Sequence, residues 1–230
     1  MKDKKQNQNR VLLISAIKKF TIGFAILGAF LFICSGDIRY WNAWLYIAVF
    51  SVSIFFFGVY LYTTDKGLLQ KRLNSKEKEE SQKANNLAAI ISLLATFGGS
   101  SLDHRFSWSH IPLAGVIIAL IIMLAGYGLF ILTIVYNRFA SRTIEIQNKQ
   151  KVIDTGVYSV IRHPLYTAAL LMFFSSPIVL GSYYAVIPVF VFLIGIILRI
   201  KSEEEFLCNG LDGYADYMKK VKYRLIPFIW

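Results

Sequence analysis

Six long runs of apolar residues divide the chain, and the segments between them are short, polar and often basic. The runs extend from Phe20 to Ser35, Asn42 to Thr63, Leu87 to Leu102, Ile111 to Tyr136, Leu165 to Leu180 and Tyr183 to Ile200. Most approach the roughly 20 residues that a helix needs to cross a bilayer core. The pattern predicts an all-α fold, a multi-pass integral membrane helical bundle of about six spans, or five if one run falls short. The first run is short, and Val11 to Ile17 is expected to extend it as an interfacial helix. The third is also short and is interrupted by Gly98-Gly99, so it is expected to tilt or to pack inside the bundle. The clearest is Ile111 to Tyr136.

The connections have characters of their own. Residues 65–86 mix Lys66, Lys71, Arg72, Lys76, Lys78 and Lys83 with Glu77, Glu79 and Glu80 at helical spacing, which suits a solvated helix. Ser101 to Trp108 reads as a polar, aromatic loop. The chain is expected to divide into 1–136, with four spans and the charged loop 64–86, and 137–230. The second part holds a polar stretch, an apolar hairpin broken at Gly181-Ser182, and a charged, aromatic tail.

Composition agrees with a membrane protein. Of 230 residues 56% are hydrophobic and 15% aromatic, too apolar for an ordinary soluble domain. The formal charge of +11 does not point to nucleic acid, because the basic residues lie between apolar runs and not on one compact face. Cys34 and Cys208 make neither a disulfide framework nor a zinc site, and His104, His110 and His163 lack metal-ligand spacing. No metal is expected. The N-terminus has no short apolar region with a small-residue cleavage site, so no removable signal peptide is expected.

The distribution of Lys and Arg sets an orientation. With six spans, one side receives six before Phe20, six in 64–86, five in 137–162 and six from Arg199 onward. The other side receives Arg39 and Arg105. The positive-inside rule then places both termini in the cytoplasm, in the cell membrane of a bacterium or the endoplasmic reticulum of a eukaryote. Asn137, Arg138, Arg142, Arg162, His163, Glu203, Glu204, Glu205 and Arg224 all fall on that cytoplasmic side, beside the last three spans.

Two stretches hold the candidate chemistry. Asp154 to Tyr166 is a polar turn leading into an apolar helix, with Pro164 suited to the first helical turn. Arg162 and His163 therefore sit at a helix start, where unpaired backbone N–H groups favour an anion. Glu203 and Glu204 follow Arg199 by about one turn beyond an apolar span. Carboxylates placed there call for a cation or a ligand, though an Arg199–Glu203 pair at i,i+4 would also account for one. No dinucleotide-binding glycine motif, P-loop, nucleophile elbow or zincin helix is present.

Five motifs in register carry a resemblance. They are Thr155-Gly156-Val157-Tyr158, Arg162-His163-Pro164-x-Tyr166, Arg199-x-x-x-Glu203-Glu204-x-x-Leu207, Gly213-Tyr214-x-x-Tyr217 and Arg224-x-x-Pro227. In order and spacing they resemble the C-terminal signature of isoprenylcysteine carboxyl methyltransferases, and the related membrane phospholipid N-methyltransferases look similar there. The resemblance covers about 95 residues, Asn137 to Trp230. It implies that 137–230 is the catalytic region and that S-adenosylmethionine is the cofactor, bound at the cytoplasmic membrane surface. By carry-over, His163, Tyr166, Glu203 and Glu204 are the expected cofactor residues, and Tyr158 or Tyr166 is expected to face the adenine or the sulfonium. An arginine or histidine at a helix start suits the cofactor carboxylate, and Glu203 or Glu204 suits its ammonium or ribose hydroxyls. The implied acceptor is lipid-like: a prenylcysteine carboxylate, or a similar carboxyl, amine or thiol group. A carboxylate needs only an orienting cation, for which Arg162 or Arg224 is expected, with Asn137 assisting. An amine would need a base, Glu204 or His163. Two other readings stand beside this one, an NADPH-dependent sterol-reductase-like enzyme and a non-enzymatic transporter or scaffold.

Overall fold

A computed structural model describes residues 2–74, 80–139, 146 and 150–230, and all of its regular structure is helical among these. In chain order the helices are α1 (Lys2–Ser35), α2 (Trp41–Thr64), α3 (Lys66–Asn74), α4 (Glu80–Phe106) and α5 (Leu113–Tyr136). After them come α6 (Pro164–Val179), α7 (Ile187–Gly210) and α8 (Tyr214–Lys220), with 3₁₀ turns at Gly156–Ser159 and Tyr184–Val186. Five segments are long and apolar enough to cross a membrane: Asn9–Ser35, Trp41–Thr64, Asn85–Phe106, Leu113–Tyr136 and Tyr184–Gly210. The sixth apolar helix, Pro164–Val179, is shorter. Of the six expected spans, five are thus long enough to cross a membrane, and the sixth apolar run forms the shorter helix α6.

Their ends differ from the sequence reading in three places. Helix α1 is continuous with the basic segment before Phe20, so Val11 to Ile17 is part of the same helix. Helix α4 begins at Glu80 and runs to Phe106, absorbing the segment expected to be a loop at 101–106. Its Gly98 and Gly99 do not interrupt it, because the missing side chains admit Phe30 of α1 on one side and Ala185 on the other. Between α2 and α4, Asp65 ends α2 and caps α3, its carboxylate accepting from Leu68 N at 2.9 Å.

Helices α5 and α6 form the closest pair, and Gly126 is the reason. A Cβ there would lie 2.8 Å from Met172 Cγ and 3.1 Å from the Ala168 carbonyl. In a bilayer, where water does not drive helices together, such small residues allow the van der Waals contact that does. At one end of the bundle, a buried Asp103 accepts from Ser109 N, Ser109 Oγ and Ser182 Oγ at 2.5–2.6 Å. Nearby, Asn42 Nδ2 donates to Val179 O at 2.8 Å and Tyr40 OH donates to Leu180 O. The helix ends at Ser35, Phe106 and Val179 thus meet at one face. The ends at Thr64, Tyr136 and Gly210 lie at the opposite face, with the polar segments that carry the candidate chemistry.

Candidate active site

The tail folds back onto the start of α6. Arg162 N donates to Tyr223 O and His163 N to Arg224 O, each at 2.9 Å, so two backbone donors at the helix start are taken by the chain itself. Thr167 Oγ1 adds a bond to Leu225 O at 2.8 Å. The end of the tail closes on itself, with the N–H groups of Arg224, Leu225 and Ile226 all pointing at Trp230 O within 3.2 Å. Upstream, Gly156 lets the 3₁₀ turn lie on the end of α5. Its φ is +59°, and a Cβ would sit 2.4 Å from the Tyr136 ring.

A buried carboxylate ties these pieces together. Glu204 Oε1 accepts from Arg162 Nε at 2.7 Å and from His163 Nε2 at 3.0 Å, while Oε2 accepts from Arg224 Nε at 2.8 Å. Arg162 Nη1 continues to the carbonyls of Val221 and Lys222 at 2.7 and 2.9 Å. The cluster thus joins α7, the start of α6 and the tail. Charge-assisted bonds of this kind are short and strong, which offsets the desolvation of three ionic groups.

Glu203, one residue earlier, faces another way. Its Oε2 accepts from Tyr166 OH at 2.6 Å, and Tyr166 OH accepts in turn from Arg199 Nε at 2.8 Å. The expected direct Arg199–Glu203 pairing is therefore relayed through a tyrosine hydroxyl. Asn137 caps the end of α5 and its Oδ1 accepts from Phe139 N at 2.9 Å.

These groups frame a cleft. Of the eight residues singled out from the sequence, Asn137, Tyr158, Arg162, His163, Tyr166 and Glu203 line it, and Glu204 and Arg224 lie behind it. Sequence reasoning assigned no role to Tyr214 and Tyr217, which also line it; their i,i+3 spacing was the available signal. The other wall, from Gln150 to Ile153, has no sequence signature. Arg142 falls outside the described residues.

Burial raises the hydroxyls of Tyr158, Tyr214 and Tyr217 above the ordinary tyrosine range, and the carboxylates of Glu203 and Glu204 add to the effect at Tyr214. These rings therefore present neutral O–H groups. Tyr217 uses its own to hold the 3₁₀ turn, donating to Tyr158 O at 2.8 Å. On the outer surface Lys220 pairs with Asp154 at 2.7 Å and holds that carboxyl below its usual range.

Comparison with known proteins finds one family model and a similar solved structure. Residues 113–211, from the start of α5 past the end of α7, match the sequence model of the phospholipid methyltransferase family. No curated protein matches the chain. Among solved structures, the fold is similar to the eukaryotic intramembrane Ras methyltransferase ICMT, an isoprenylcysteine carboxyl methyltransferase. The TM-score is 0.51 at 18% identity, over 93% of this chain and 77% of that one. At that identity the likeness is one of fold. Over the matched segment, which supplies most of the cleft, the chain is similar to the phospholipid methyltransferases, and its fold is that of a multi-pass membrane helical bundle.

Proposed function

We propose that the protein transfers a methyl group from S-adenosylmethionine to a lipid-like acceptor, at a cleft on the cytoplasmic face of the membrane. The observation that carries this reading is the division of labour between adjacent glutamates. Glu204 is saturated by protein cations, whereas Glu203 stands at the cleft beside a ring of tyrosines.

The residues present fit the cofactor's chemistry. Glu203 is a carboxylate for its ammonium or ribose hydroxyls, and the faces of Tyr158, Tyr166 and Tyr214 suit an adenine or a sulfonium. The cleft-facing side of Arg162 supplies positive charge for its carboxylate, and the His163 ring, held by Glu204, lies beside it. The enclosed part of the cleft is about 100 Å³, below the roughly 300–1,000 Å³ of small-molecule sites, so an occupant extends into the open mouth along 150–153. An NADPH reading fits less well, because the extra phosphate would meet Glu203.

When bound, S-adenosylmethionine supplies an activated methyl group for in-line displacement. The chain's part is to align donor and acceptor and to exclude water. Arg162 and Arg224 act as positioning residues in this reading, because their Nε–H groups hold Glu204 and thereby fix α7 against the start of α6. Asn137 sits at the cleft edge nearest α5, where it can orient an acceptor. Methylation of a carboxylate oxygen is the reaction we favour, since it needs no base.

The test is equilibrium binding of radiolabelled S-adenosylmethionine and of NADPH to the purified protein in lipid. Saturable binding of the first and none of the second is expected; the reverse would refute the reading.

A further inference from the structure

The segment after α8 carries an apolar tip that the cleft does not use. Ile226, Phe228 and Ile229 are 49%, 87% and 76% exposed, three large apolar side chains within four residues. Phe228 rests one side on the Tyr223 ring, with 5.3 Å between centroids, and leaves the rest uncovered. Its φ is +66°, a conformation that a bulky residue adopts only when its surroundings enforce it. Here the backbone enforces it. The N–H groups of Arg224, Leu225 and Ile226 converge on Trp230 O, and those of Ile229 and Trp230 both point at Ile226 O. The tip is thus held open, with its side chains turned outward.

The same segment uses its backbone polar groups within the protein. Those bonds take five N–H groups, and Pro227 has none to satisfy. The carbonyls of Tyr223, Arg224 and Leu225 accept from Arg162 N, His163 N and Thr167 Oγ1. A loop in water has no need of such closure, whereas non-helical backbone at membrane depth must have it. Packing puts the segment at that depth. Trp230 lies against the cluster of Ile196, Ile200 and Leu225, as does Phe192. Ile196 and Ile200 stand about 14 and 20 Å along α7 from its start at Ile187, inside a hydrocarbon core of roughly 30 Å. The same helix exposes Phe190, Ile194 and Leu198 to lipid.

We infer that residues 226–229 are a re-entrant tip, inserted among the acyl chains of the leaflet on the cleft side. Its partner is phospholipid. Just before the tip Lys222 is exposed and Tyr223 half-buried, a cation and an aromatic ring suited to the headgroup level above an inserted apolar turn. Insertion of 226–229 holds Arg224 between the lipid and Glu204, so the bilayer braces the cluster behind the cleft. It requires only the membrane fold and is independent of which reaction the cleft performs.

Spin-label accessibility in phosphatidylcholine nanodiscs tests it. With Cys34 and Cys208 replaced by serine, a nitroxide is attached at Phe228→Cys, and its saturation is measured with oxygen and with nickel ethylenediaminediacetate. Oxygen concentrates among acyl chains, and the nickel complex stays in water. Ile194→Cys, exposed within the span, gives the lipid reference, and Asp212→Cys, exposed beyond the end of α7, gives the water reference. The oxygen-to-nickel ratio at Phe228→Cys is expected to be roughly tenfold above that of Asp212→Cys, as for a group some 5–10 Å into the headgroup and acyl boundary. Ile229→Cys leaves Phe228 and its turn intact and is expected to give the same result, which decides the matter where Phe228→Cys does not fold. A ratio equal to that of Asp212→Cys puts the tip in water and overturns the inference. Poor access to both reagents, or spin–spin broadening between copies, puts protein over the tip and overturns it as well.

Discussion

Arg162 and Glu204 stand 42 residues apart in the chain and meet at 2.7 Å, with both side chains about 5% exposed. Because His163 and Arg224 share the same carboxylate, this contact joins the start of α6, the polar end of α7 and the tail. Glu204→Gln keeps the shape and removes the charge, leaving two guanidinium groups facing a neutral amide. Breaking a buried pair costs roughly 3–5 kcal/mol; Arg224 is about a third exposed, so the lower end is expected here. Arg162→Lys should be nearly as harmful, since an ammonium cannot reproduce the fork that spans Glu204 and two carbonyls. Thermal unfolding in detergent should show both variants destabilised, with methyl transfer down tenfold or more. A stable, active Arg162→Lys would mean that the arginine serves only the headgroup region.

Gly156→Ala tests the other support of the cleft. The substitution puts a methyl group where the Tyr136 ring already lies, on a backbone with positive φ. A loss of about 1–3 kcal/mol is expected from strain and overpacking. Tyr136→Ala in the same chain should relieve the clash but not the dihedral cost, so the double variant should recover part of the loss. Full recovery would assign the whole effect to the ring.

What was legible in the sequence follows from what makes the signal. Helix existence came from apolar run length, a local property, and all six apolar helices appear where expected. Their ends were less legible, because α4 reaches Phe106 through contacts that come from elsewhere: Asp103 is held by Ser109 and Ser182. The two glutamates show the same limit at the site. Adjacent residues on a helix point about 100° apart, so the motif announced two carboxylates without saying which meets the tail and which the cleft.

Buried tyrosines set an alkaline limit. The folded-state values of Tyr158, Tyr214 and Tyr217 are raised by burial above the unfolded value of about 10. Stability from keeping them neutral is therefore fully present below about pH 10 and is lost as pH rises through the folded values. Cofactor binding should be level across this region's neutral range and fall above about pH 10. Tyr217→Phe should cost about 1 kcal/mol, from the lost bond to Tyr158 O, and should make the alkaline fall shallower. Binding that falls between pH 7 and 9 would point to a different titrating group.

The arrangement of helix ends predicts topology. Reporter fusions at residues 37, 106 and 183 should give one answer, and fusions at 150 and at the C-terminus the opposite one. From the basic bias, the second group is expected to report the cytoplasm. A shared answer at 106 and 150 would require α5 not to cross.

Glu203→Gln gives the sharpest test of the cleft, read against Glu204→Gln. In the first variant the Tyr166 hydroxyl can still donate to the amide oxygen, so the Arg199–Tyr166 link survives and the fold should hold within about 1 kcal/mol. What changes is the charge facing the cleft. Losing one charged acceptor costs roughly 1.5–3 kcal/mol, on the order of ten- to a hundredfold in S-adenosylmethionine affinity. Adjacent, nearly identical substitutions should therefore part company: Glu203→Gln stable and weak in binding, Glu204→Gln unstable. Calorimetric binding beside thermal unfolding measures both. If Glu203→Gln binds the cofactor as tightly as the unmodified protein, Glu203 belongs to the Tyr166–Arg199 brace alone, and the ammonium or ribose contact must be sought along 150–153.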